Sequence, residues 1–355
     1  MRLLSKTNKV FAVLDFKTDF IAAAAASWRK KGNFELLDFC MVHSNAIPNG
    51  VVKDLDGATE SIAEVITKFN RALKCHIKEV YVTAASPSVE NISSGATLLL
   101  SKYGREINYG DITKCRKTGA IFKLPAGKKV LEERVREYAV DGEGGIHNPL
   151  GLTGVKLDIR LDNILINSSV IENLDKCVFG AGLTRSKAFY SGLANAKRVL
   201  TAEDMHDGVL FLMAHRGLMQ VMLFSENLLK NCKVLPFGAE DMDRIVEDPG
   251  TLCLDKVVSL MQDFPDWKNV KKVAVLCEWG VDGVAEKIEK SINIPVVTAL
   301  CINKPEENLP IERIAYTGCL GVLDILEQEQ KGLLGDKNPV DKLITKAIDF
   351  FDSYF

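Results

Sequence analysis

Two short runs carry side chains able to bind or activate a ligand. The first, Asp15-Phe16-Lys17-Thr18, places a carboxylate, an ammonium and a hydroxyl side by side. The second runs from Met213 to Gln220 and joins two apolar stretches. It carries Met213, His215, Arg216, Leu218, Gln220 and a single glycine, Gly217. A turn that cradles a phosphate uses glycines so that backbone N–H groups can approach the anion. Hydroxyls add donors, and carboxylates organise a divalent cation and its waters. Asp15, Thr18 and Gly217 suit that chemistry; Met213, Leu218 and Gln220 do not. Lys17, His215 and Arg216 offer another, positive charge that holds an anion without a metal.

The elements that must position these runs can be read from apolar periodicity. Residues 9–16 and 20–28 are short apolar stretches bounded by turn residues, which predicts a strand hairpin, and 34–42 predicts a third strand. A helix is expected from about Asp56 to Lys74, with Ile62, Val65, Ile66, Phe69 and Leu73 on one face. Residues 78–85 give a fourth strand. The plan restarts at 208–214, with a turn and then 218–229, followed by a strand over 270–280 and a helix-like "VDGVAEKIEKSI". Two halves, each opened by a strand hairpin, predict a duplicated α/β architecture with a ligand site where the two turns face each other. The stretch from about 84 to 163 breaks this rhythm and reads as an inserted subdomain.

Composition narrows the field. The chain has 355 residues, 47% hydrophobic and 26% charged, with a formal net charge of -2, a globular profile with no basic field for nucleic acid. The nine cysteines are an odd number without a C-x-x-C pair, and no histidines sit at ligand spacing, so no metal site is expected. Buried thiols in a reducing compartment are the simplest reading. The first residues, interrupted by Lys6, Asn8, Lys9 and Asp15, do not make a signal peptide, and no stretch approaches the roughly 20 apolar residues of a membrane span. "DGEGGIHNP" lacks the Gly-Lys-Ser/Thr ending of a P-loop, so its glycines read as turn formers.

Two long runs carry a family resemblance. "HNPLGLTGVKLDIRLDNILIN" (147–167) and "SGLANAKRVLTAEDMHDGV" (191–209) closely resemble FtsA, the actin-like bacterial division protein. The resemblance covers residues 8–230 and, more loosely, 270–326. It implies an actin-like, ribonuclease H-like duplicated α/β fold with the 1C insertion of FtsA. On that frame 1–83 and 164–204 form subdomain 1A, 84–163 subdomain 1C, and 205–235 with 270–326 subdomain 2A. Only 236–269 remain for 2B, too few for the full subdomain, and 327–338 read as a linker. The resemblance further implies self-assembly, contact with later division proteins through 1C, and an FtsZ tail dock on 2B that this shortening puts in doubt.

Against the FtsA pattern the pocket residues depart. Its first turn reads D-x-G-T, and Lys17 stands at the glycine. Its second reads D-x-G-G-G-T-x-D, where this chain has Met213 at the first carboxylate and His215 and Arg216 at two glycines. Leu218 stands at the threonine and Gln220 at the last aspartate. The adenosine run, usually Thr-Gly-Gly, is Glu278-Trp279-Gly280. The expectation is a pseudo-ATPase with no catalytic residue and no bound ATP or Mg²⁺. The alternatives are an ATP-binding FtsA-like protein and a scaffold resembling PilM, the actin-like pilus component.

At the end of the sequence, "KGLLGDKNP" reads as a hinge and Asn338-Pro339 as a helix start. Spaced at about 100° per residue, Val340, Leu343, Ile344, Ala347, Ile348, Phe350, Phe351, Tyr354 and Phe355 share an arc of roughly 160°. An aromatic-rich amphipathic helix there is expected to dock on lipid, as FtsA's does. The reading is a peripheral protein on the cytoplasmic face of the bacterial inner membrane at the division site.

Overall fold

A computed structural model describes residues 9–29, 33–121, 124–238, 259, 263–265, 267–277, 284–298 and 311–335. The first half opens with β1 (Val10–Phe16), β2 (Phe20–Trp28) and β3 (Phe34–His43). Both faces of the hairpin are buried in period two. Ala12, Leu14, Ile21, Ala23 and Ala25 enter one core, while Phe11, Val13, Ala22, Ala24 and Ala26 enter another. The alanine run prefers helix intrinsically, but burial on both sides settles it as a strand. Its small side chains let α7 (Thr317–Gly335) lie close, with Cys319, Val322, Leu323 and Leu326 packed on that face.

The helix α1 (Leu55–Leu73) is capped by Asp54, whose side chain accepts a 3.0 Å bond from Gly57 N–H, and ends at Lys74 in left-handed backbone. It leads into β4 (Glu79–Ala84), parallel to β1. The insertion follows: β5 (Glu90–Leu99), β6 (Arg105–Glu106), α2 (Tyr109–Ile121), β7 (Lys128–Val140), β8 (Glu143–Ile146), β9 (Thr153–Gly154) and β10 (Lys156–Asn167). β10 runs unbroken through 163/164. The chain re-enters the first half through α3 (Ser168–Gly180), β11 (Thr184–Tyr190) and α4 (Ser191–Val199), so that the first sheet reads β11-β4-β1-β2-β3.

After α5 (Ala202–Asp207), closed by a Thr201–Asp204 capping box, the second half repeats the topology. β12 (Val209–Ala214), β13 (Met219–Ser225) and β14 (Leu228–Leu235) form an antiparallel meander, and β15 (Lys272–Cys277) is parallel to β12. α6 (Val284–Ile292) connects it to β16 (Val296–Thr298). The order β14-β13-β12-β15-β16 is that of β3-β2-β1-β4-β11, which makes the duplication explicit. The insertion strands β5-β10-β7-β8 extend this second sheet to nine through one bridge, Lys233 to Glu90.

Two expectations need correcting. The stretch 218–229 is not one strand. Glu226 and Asn227 both take positive φ, 54° and 60°, making a two-residue hairpin turn between β13 and β14. The linker expected over 327–338, with its hinge from 331, is helical up to Gly335, because a single interior glycine such as Gly332 costs a helix only about 1 kcal/mol. Most of 236–269, the end of the linker and the segment 339–355 lie outside the described residues. Among the described residues no helix is long and apolar enough to cross a membrane.

Candidate functional site

The two hairpin turns are built alike and meet. In the first, Phe16 pairs with Ile21 and Lys17 N–H donates to Phe20 C=O at 2.9 Å; in the second, Ala214 pairs with Met219 and His215 N–H donates to Leu218 C=O at 2.8 Å. Register therefore makes Asp15 equivalent to Met213, Lys17 to His215, and Ala22 to Gln220. Gly217 lies against the other half, where a Cβ would come 2.6 Å from Asn49 Oδ1 and 3.6 Å from Thr18 Cγ2. This close approach is why the one retained glycine is there. Arg216 Nη1 reaches Asp19 Oδ2 at 3.1 Å, an ion pair between turns 197 positions apart.

Asp15 sits at the end of β1 with none of its surface exposed, and Lys17 is nearly as buried. The Lys17 ammonium lies 2.9 Å from Asp15 Oδ2, and Thr83 Oγ1 donates to Asp15 Oδ1. Gly318, in the first turn of α7, packs on the same carboxylate, since a Cβ there would fall 2.1 Å from Asp15 Oδ2. Asn195 of α4 accepts a bond from Thr317 and donates to Ser191 C=O at 2.8 Å, which ties the two helices together behind the carboxylate. Proximity of a cation stabilises the buried Asp15 charge, and each charge makes the other tolerable.

In the second turn the fully buried Gln220 places its Nε2 3.3 Å from His215 Nε2 and 3.7 Å from Met213 Sδ. For the amide N–H to donate to that ring nitrogen, a neutral His215 carries its proton on Nδ1. Gln220 Oε1 is buried without a hydrogen-bond partner among the described residues. The space between the turns, lined by Lys17, Thr18, Gly50, Ser191, His215 and Gln220, measures about 10 Å³. That is room for about one water molecule.

The structure thus gathers Asp15, Lys17, Thr18, Met213, His215, Arg216, Gly217, Leu218 and Gln220 into one place. It also pairs two of the three positive side chains that could have cradled an anion, Lys17 and Arg216, with carboxylates. Glu278, Trp279 and Gly280 lie outside the described residues. So do Val340, Leu343, Ile344, Ala347, Ile348, Phe350, Phe351, Tyr354 and Phe355. Sequence reading missed Asp19, next to Thr18 in the first turn, and Thr83, Asn195, Thr317 and Gly318, which come from distant segments with no shared spacing. Asn49 and Gly50 carried a signal, Pro-Asn-Gly, that marks a turn with positive φ, here 53° and 72°. Among the described residues no group of three His, Cys, Asp or Glu is placed to hold a metal ion.

Comparison with known proteins places the chain. A family model described as the SHS2 domain inserted in FtsA matches residues 91–165, the insertion. The cell division protein FtsA of Pseudomonas aeruginosa is 24% identical over 237 residues, 67% of this chain and 56% of that one. The FtsA of Neisseria meningitidis serogroup B is 22% identical over 286 residues, 81% and 66%. The chain is a divergent FtsA-like protein. It spans about half the length of the curated FtsA relatives it matches. The FtsA-like fold is actin-like, as expected. A solved PilM-PilN type IV pilus biogenesis complex contains a chain that superposes with a TM-score of 0.58, covering 90% of this chain and 98% of that one at 11% identity, a likeness of fold alone.

Proposed function

We propose that this FtsA-like chain is a division-site scaffold that does not turn over ATP. It associates with itself and attaches to the cytoplasmic face of the bacterial inner membrane through the amphipathic segment 339–355. There it ties FtsZ or later division proteins to the lipid surface. The observation that carries the non-catalytic part is the space of about 10 Å³ between the turns, against the hundreds of Å³ of an ordinary ligand pocket, about 300–1,000. Around it, Lys17 already neutralises Asp15, and Met213 stands at the equivalent place in the other half. No carboxylate of the second turn is there to organise a metal or aim a water. These residues do not fit Mg-ATP.

The likeness to proteins named for cell division supports the division-site part. The apolar arc of 339–355 supports lipid attachment. Its two lysines are outnumbered by three aspartates, so attachment rests on apolar insertion, and a weak single helix gains avidity when copies associate. Vesicle flotation tests the reading, with the full chain and a chain ended after Gly335, a labelled FtsZ C-terminal tail peptide, and Mg-ATP present or absent. The full chain is expected to float and to carry the peptide equally in both conditions, while the shortened chain stays behind. Flotation or peptide capture that requires Mg-ATP overturns the nucleotide-free scaffold. Flotation without peptide removes FtsZ as the partner and moves the search to the insertion.

A further inference from the structure

We propose that the two halves of the molecule are held closed by the chain's own side chains, so that closure requires neither nucleotide nor metal. The proposal rests on the non-catalytic reading of the turn site and names what replaces the ligand. Its test needs neither vesicles nor an FtsZ peptide, so it can fail while membrane and FtsZ attachment stand, and the reverse.

Three contacts make the latch. Arg216 reaches across to Asp19 at 3.1 Å, a pair in which the Asp19 side chain is 12% exposed and the Arg216 side chain 44%, so solvent screens it in part. Gly217 brings the backbone of the second turn onto Asn49 and Thr18 of the first half, close enough that a Cβ would press on Asn49 Oδ1. Lys17 is the third. Its side chain is 1% exposed although it sits on a turn, because His215, Leu218 and Gln220 of the other half line the same space.

Charge explains why Lys17 belongs in that set. Asp15 is fully buried against Thr83 and Gly318, and a bare carboxylate there is costly unless a cation comes with it. An ammonium 2.9 Å away, attached two residues along the chain, supplies that cation permanently. Closure then depends on no external ion. The same ammonium fills the position from which a diffusible cation could reach Asp15, so the latch and the loss of ligand space have one cause.

Hydrogen exchange of the full-length chain reads the latch directly, since local opening sets the exchange rate of turn amides. In the wild-type chain the amides of 17–20 and 215–218 are expected to be equally protected with and without Mg-ATP. Arg216→Gln, a partly exposed side chain whose loss the fold should tolerate, is expected to speed exchange about two- to five-fold in both turns at once. The swapped pair Asp19→Arg with Arg216→Glu should return both turns toward wild type. Lys17→Met should open the second turn although the substitution lies in the first. Slower wild-type exchange with Mg-ATP, or acceleration confined to the substituted turn, overturns the proposal.

Discussion

Asp15 in the first half and Met213 in the second stand at the same place in their strands, two residues before turns closed by the same backbone hydrogen bond. One is a carboxylate held by an ammonium; the other is a thioether beside an imidazole and an amide. The topology around them has been kept in both halves because it rests on long apolar strands, in which many residues share the burial. The chemistry rests on single side chains at the turns, and exchanging one of those leaves the strands in place. The two turns also show two ways of filling a buried polar site: a matched ion pair in the first, and a thioether, an imidazole and an amide in the second.

Substitutions that exchange these two solutions are expected to have the largest effects. Lys17→Met leaves Asp15 buried beside no ammonium and should cost about 3–5 kcal/mol in urea unfolding, whereas Asp15→Asn with Lys17→Met should recover most of it. Met213→Asp creates the mirror case, a carboxylate at a site 1% exposed, and should also destabilise by several kcal/mol, about 3 or more. If Met213→Asp is tolerated without loss, the second turn is not the closed counterpart described above.

A smaller effect is expected where the halves touch. Gly217→Ala presses a Cβ to 2.6 Å from Asn49 Oδ1, the movable end of a side chain, and should cost about 1 kcal/mol in thermal unfolding. The smallest effect lies far from the turns, in the insertion. Arg105 donates two hydrogen bonds to Asp111, at 2.6 and 2.5 Å, and holds its carboxyl below the usual range. The folded chain then binds fewer protons than the unfolded one, so this stabilisation is complete above the ordinary aspartate range and disappears as pH falls through the lowered value. Arg105→Ala should therefore lower the melting temperature near neutral pH and converge with wild type in acid. A gap that persists in acid would assign Arg105 a packing role instead.

Apolar runs made much of the fold legible. β2 was readable over its full length and α1 to within one residue at each end, since their burial patterns follow directly from residue type. The Glu226–Asn227 turn was not, because it sits in a stretch whose flanks are apolar on both sides and contains no glycine. At the site, the two turn runs were legible as facing each other, and the arrangement within them was not. That Lys17 folds inward onto Asp15 depends on Thr83, Asn195 and Gly318, which lie 68 to 303 positions further along the chain and have no sequence signature in common. That Arg216 is paired follows from Asp19 in the facing turn, which only the meeting of the halves brings near.

Side chains of the protein itself are proposed to close the space between the turns. Titration of Mg-ATP into the full-length chain by isothermal calorimetry tests that closure most directly. The account predicts no saturable heat at any ratio, in the wild-type chain and in Arg216→Gln alike. A saturable one-to-one isotherm in the wild-type chain would contradict it, since a nucleotide can enter only where the Lys17–Asp15 pair and the second turn have given way.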